Sequence, residues 1–152
     1  MGLDMYLEAR RFISNWRDED KPLQEAVNAA IPDRGDMNVN TVICQAAYWR
    51  KANQIHKWFV DNVQDCKDDC GTYYVSQEQL KSLRDVCQRV LENHSLAKSL
   101  LPSQGGFFFG STDYDQGYYD DLKDTVEQLD KLLDPKYQCW EFSYHHYKSR
   151  CI

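Results

Sequence analysis

The sequence predicts an α+β fold, mostly helical, with three principal helices and a small antiparallel sheet built from N- and C-terminal strands. Three observations predict it. Near the N-terminus Leu3, Met5, Leu7 and Ala9 alternate with Asp4, Tyr6, Glu8 and Arg10, the period of a strand with one buried face. Three later stretches repeat apolar residues at the helical period. The aromatic run from Lys136 to Tyr147 contains no Gly or Pro and reads as a closing strand. A chain of 152 residues suits a single domain, 1–152.

Taken in order, residues 2–13 form the first strand. Residues 14–40 are polar and broken by Pro22, Pro32 and Gly35, with room for a short helix over 23–29. A long helix is expected over 41–64, where Tyr48, Ala52, Ile55, Phe59 and Val63 keep the period. The acidic piece 65–71, ending in Gly71, stops it. Residues 72–75 read as a short extended piece. Ser76 and Gln79 form a capping box that opens a second helix over 76–93, with Leu80, Leu83, Cys87 and Val90 as its stripe. A glycine-flanked loop with Phe107, Phe108 and Phe109 spans 101–117. The third helix, 117–133, presents Tyr118, Leu122, Val126, Leu129 and Leu133, and Asp134-Pro135 ends it. Five aspartates between 113 and 124 crowd its start, where they suit the N-terminal dipole; only Asp113-x-Asp115 fits a calcium frame.

Composition narrows the function classes. A net charge of −6 argues against broad nucleic-acid binding, which needs clustered Lys and Arg. No apolar run approaches the ~20 residues of a membrane span. No basic-then-apolar leader is visible, so a cytoplasmic location is expected. Ten tyrosines suggest wet, half-buried surfaces, or a core filled with large residues. The six cysteines are expected as free thiols. Cys66, Cys70, Cys87 and His94 could supply zinc ligands, but Cys66-x3-Cys70 lacks the usual close spacing. No catalytic residue, resident metal or cofactor is expected. His145 and His146, adjacent on a strand, face opposite sides and cannot easily share one metal.

The candidate ligand site is the stretch from Tyr48 to Phe59. On a helix, Trp49, Asn53 and His56 share one face, with Arg50, Gln54 and Lys57 beside it. An indole, an amide, an imidazole and two cations could stack on a base and pair with a phosphate. Phe108, Tyr114 and Tyr118 could join them from the glycine-flanked loop and the helix after it. The plain structural alternative is that Trp49 and His56 edge the core while Arg50 and Lys57 are solvated. The segment Gly105–Thr112 lacks the lysine of a phosphate loop.

Three segments, Met1–Leu7, Tyr48–Phe59 and Gly106–Ser111, carry a resemblance. The chain resembles a family of small bacteriophage- and prophage-encoded proteins with no established reaction or catalytic residues. The resemblance implies a viral accessory protein in the bacterial host cytoplasm. Non-catalytic binding in phage–host conflict is then expected, with a nucleotide-like immune signal sequestered at the Trp49–Lys57 face. The alternatives are inhibition of a host defence or CRISPR protein through an acidic, tyrosine-rich surface, and a small hydrolase acting on a nucleotide signal. Self-association stays open.

Overall fold

The computed structural model describes residues 2–148. The elements are β1 (Asp4–Phe12), α1 (Lys21–Ala30), β2 (Thr41–Arg50), α2 (Asn53–Asn62), β3 (Tyr73–Val75), α3 (Gln77–Glu92), α4 (Ala97–Leu100), α5 (Gln116–Leu132) and β4 (Glu141–Tyr147). The fold is α+β, with five α-helices and one four-stranded antiparallel sheet among the described residues. Strand order is β2-β1-β4-β3. β1 and β4 pair antiparallel at the centre, as the alternation of apolar residues requires, with Met5 opposite His146 and Leu7 opposite Tyr144. No helix among the described residues is long and apolar enough to cross a membrane.

One face of the sheet is core. Leu3, Met5, Leu7, Phe142 and Tyr144 are sealed from solvent, and α2 lies on them through Ile55 and Phe59. The Phe59 ring stacks on Tyr144 at 3.9 Å and 6°. α3 and α5 pack against each other over the same layer, burying Leu80, Leu83, Cys87 and Val90 against Tyr118, Leu122 and Leu129. Each fully buried Leu contributes roughly 1.5–3 kcal/mol. The expected capping box is present, with Ser76 Oγ accepting from Gln79 N–H and Gln79 Oε1 accepting from Ser76 N–H.

The expected long helix over 41–64 is a correction, and with it the count of three principal helices. Residues 41–50 are an edge strand paired with β1, and the helix begins only at Asn53. The helical spacing of Ile55 and Phe59 is real but local to α2. Before it, β-branched Thr41, Val42 and Ile43 favour a strand. The alternation of Ala47 and Trp49 buries one side of that strand. The break has no Gly or Pro. Lys51 itself takes a left-handed conformation, φ 58°. Its N–H donates to Leu3 O at 2.8 Å, and its C=O accepts from Asn53 N–H at 2.9 Å. Gly110, at φ 79°, lets the loop backbone lie against the Lys51 stem.

A Lys51→Gly substitution relieves this backbone strain, worth about 1 kcal/mol. The melting temperature is expected to rise by roughly 3 °C in differential scanning calorimetry. A fall would show that the packing of the Lys51 stem over Gly2 and Gly110 outweighs the backbone term.

Candidate functional site

The turn at Lys51 decides where the expected ligand residues go. Trp49 points from β2 into the core, and its indole N–H donates to Thr125 Oγ1 at 2.9 Å. Asn53 is buried at the first turn of α2. Its Nδ2 donates to the carbonyls of Phe109 (2.9 Å) and Ser111 (2.8 Å), and its Oδ1 accepts from Gln104 N–H at 2.9 Å. Gln54 is buried beside it and donates to Asp121 Oδ2 at 3.1 Å. These amides clamp the glycine-flanked loop and α5 to α2. Their amide N–H groups are committed to these protein partners. Arg50 is exposed, 3.9 Å from Asp4, and Lys57 pairs with Asp61 at 2.7 Å. Tyr118 is buried with its hydroxyl on Leu101 O, while Tyr114 is half-buried and accepts from Ser103 N–H. Phe108 is half-buried against the fully solvated Phe107.

The single helical face expected to hold Trp49, Asn53 and His56 therefore does not form. Arg50, Asn53 and Tyr118 do line one shallow hollow of about 270 Å³, but Asp113, Asp115 and Asp121 line it too. Those carboxylates oppose an anionic ligand there.

The imidazole of His56 belongs to a different group, which the sequence reading did not assemble. His56 from α2, Asp68 from the loop before β3 and His146 from β4 bring their ligand-type atoms within 4.8 Å of one another. Among the described residues this is the one such convergence of three or more His, Cys, Asp or Glu. Both imidazoles are fully buried, and the Asp68 side chain is 28% exposed. His56 Nδ1 meets the hydroxyl of sealed Tyr144 at 2.7 Å, and its Nε2 meets Asp68 Oδ1 at 3.0 Å. His146 Nε2 stands 3.5 Å from the same oxygen. Among the described residues neither ring nitrogen of His146 has a hydrogen-bond partner. Leaving such a group buried without a partner costs about 1–3 kcal/mol. Lys148 pairs with Asp68 and lies over the Phe109 ring, 4.8 Å from its centroid. Next to this ammonium, Phe107, Phe108 and Phe109 line an open hollow of about 420 Å³.

Burial sets the electrostatics of the group. It pushes both imidazoles below their ordinary 6.5, His146 down to about 4, with the His56 and Lys148 charges adding to the shift on His146. Asp68 raises His56 only in part. Burial works to raise Asp68, but the Lys148 hydrogen bond and the neighbouring His56 hold it below the usual carboxylate value. Tyr144 stays protonated, raised well above 10 by burial.

The zinc alternative is overturned by position. Cys87 lies inside α3 facing the core, while Cys66 is exposed. His94 stacks on Tyr119 at 3.7 Å. The expectation of free thiols holds for Cys44, Cys66, Cys87 and Cys139, whereas Cys70 is disulfide-bonded. Cys151 lies outside the described residues.

Comparison with models of known protein families, with curated proteins and with solved structures finds no match. The site must be read from its chemistry alone.

That chemistry gives a pH dependence. Unfolded imidazoles take up protons near 6.5, folded His146 only near 4, and folded His56 also below 6.5. Within that window the unfolded chain binds more protons, so stability falls as pH drops from 6.5 towards 4. The slope reaches about 1.4 kcal/mol per pH unit for one such group. Urea midpoints measured across the window are expected to show this decline, and a flat profile would contradict the buried neutral imidazoles.

Proposed function

We propose that this chain is a non-catalytic binding protein that recognises a protein partner through the open face of its sheet. The observation that supports this reading is the partly exposed aromatic face of the sheet opposite the core. Tyr6 on β1 faces Tyr48 on β2 and His145 on β4 in one row across three strands. Its ring lies 5.2 Å from Tyr48, 5.2 Å from His145 at 14°, and 5.8 Å from Tyr147. Tyr147 is 56% exposed and Tyr74, at the β3 edge, 66%. Tyr48 donates to Asp4 at 2.6 Å, which holds the ring row rigid. His145 Nδ1 makes no hydrogen bond. Rigid, amphipathic tyrosines are enriched at protein interfaces because they bury area at low entropic cost. The charges around them, Asp4, Glu8 and Glu141 with Arg10 and Arg50, are mixed. That suits a protein surface better than a phosphate backbone.

The resemblance of the sequence to bacteriophage and prophage proteins is what supports a role in phage–host conflict. The partner is then a host defence or CRISPR protein in the bacterial cytoplasm. A second reading, sequestration of a nucleotide-like signal, is favoured by one observation only. Lys148 and Phe107–Phe109 put a cation beside stacking rings at an open hollow. A hydrolase gains nothing from either surface.

The two readings separate in one experiment. Tagged wild-type chain and a Tyr147→Ala variant are used to capture proteins from a bacterial host, and both are melted against a panel of nucleotide signals. The proposal expects one captured protein whose binding weakens about thirtyfold, or roughly 2 kcal/mol, in Tyr147→Ala. The variant's own stability should stay within about 0.5 kcal/mol, and nucleotides should not shift the melt. A nucleotide that raises the melting temperature, with no protein captured through Tyr147, would replace the first reading with the second.

A further inference from the structure

We propose that His56, Asp68 and His146 form a binding site for a borderline divalent transition metal ion of the zinc type, with Lys148 as the cation the metal displaces. This site is independent of the tyrosine face, which lies on the other side of the sheet.

The donor set is the first argument. Two imidazole nitrogens and one carboxylate oxygen are ligands that zinc and its neighbours accept. Metal–ligand bonds of 2.0–2.2 Å in a tetrahedral arrangement put donor atoms about 3.3–3.6 Å apart. Asp68 Oδ1 is 3.0 Å from His56 Nε2 and 3.5 Å from His146 Nε2, and the three ligand atoms lie within 4.8 Å of one another, so the two imidazoles must draw together to close the set. The elements that carry the ligands are rigid where they need to be. His56 sits inside α2 and His146 in the central sheet, both beyond the reach of solvent.

The second argument is the orientation of each imidazole. Tyr144, sealed beneath, meets His56 Nδ1 at 2.7 Å and so aims Nε2 at Asp68. A neutral imidazole carrying its proton on Nδ1, directed at the Tyr144 oxygen, leaves the Nε2 lone pair for a metal. His146 is the sharper case. It is 1% exposed, points into the group and has no hydrogen-bond partner at either nitrogen. A metal bond at Nε2 would engage that nitrogen's lone pair.

The third argument is charge. Asp68 Oδ1 accepts from Lys148, meets His56 Nε2 and stands 3.5 Å from His146 Nε2. Lys148 supplies the positive charge that a divalent ion would supply more strongly. It is the one member of the group with an escape, because it also lines the hollow beside Phe107–Phe109. Binding thus requires Lys148 to swing outward, and the three protein ligands leave a fourth position on that side for water or a partner's side chain.

The test uses the full chain, stripped with a chelator. Zinc is titrated by calorimetry, and cobalt by its visible absorption. The wild-type chain is expected to bind one equivalent. Lys148→Met keeps all three ligands and removes the competing cation, so it should bind at least tenfold more tightly. His146→Gln should bind at least tenfold more weakly while its metal-free circular dichroism matches wild type. No binding to the wild-type chain would overturn the site. So would binding that survives His146→Gln, which would assign the ion elsewhere, such as the exposed thiols of Cys44, Cys66 or Cys139. An affinity unchanged or weaker in Lys148→Met would overturn the place given to the ammonium.

Discussion

The reversal of the backbone at Lys51 and Ala52 governs the rest of this structure. Before it, the chain runs as an edge strand against β1; after it, the chain runs as a helix across the buried face of the same sheet. That one change of direction sends Trp49 into the core and turns Asn53 and Gln54 into clamps on the 104–121 region. It also drives His56 down onto β4. The backbone cost of a left-handed lysine is about 1 kcal/mol. Three hydrogen bonds at Asn53 and the burial of Ile55 and Phe59 outweigh it readily.

The consequence is a molecule with two chemically distinct sides. The core side of the sheet ends in a polar group of imidazoles, carboxylate and ammonium, partly open at Asp68 and Lys148. The outer side carries a row of aromatic rings in which Tyr6, Tyr48 and His145 are half-buried and Tyr147 is exposed. β4 serves both, because adjacent residues on a strand point to opposite faces. His146 joins the buried group and His145 joins the tyrosines. A contact surface and an ion site can thus coexist in one small domain without sharing a side chain.

Much of the scaffold was legible in the sequence. Period-two alternation at Leu3–Arg10 found β1, the Ser76 capping box found α3, and the Tyr118–Leu129 stripe found α5. Those signals are local and survive folding unchanged. Residues 41–64 misled because Tyr48, Ala52, Ile55 and Phe59 fit one helical period across a turn that carries no Gly or Pro. Only tertiary pairing with β1 makes the first half a strand. The adjacency of His145 and His146 rightly implied opposite faces. No spacing rule joins His56, Asp68 and His146, which stand 12 and 78 positions apart and meet only when the sheet closes. The one face expected for Trp49, Asn53 and His56 does not form for the same reason that the long helix does not: Trp49 lies on β2 and the other two on α2.

The most direct test is the pattern of backbone nuclear Overhauser effects over residues 41–64. Cross-strand contacts between Met5 and Trp49 and between Tyr6 and Tyr48, with sequential amide contacts starting only at Asn53, are the result expected from the register of β1 and β2. An unbroken series of helical amide contacts from Thr41 to Val63 would contradict the account, restoring one helical face to Trp49, Asn53 and His56.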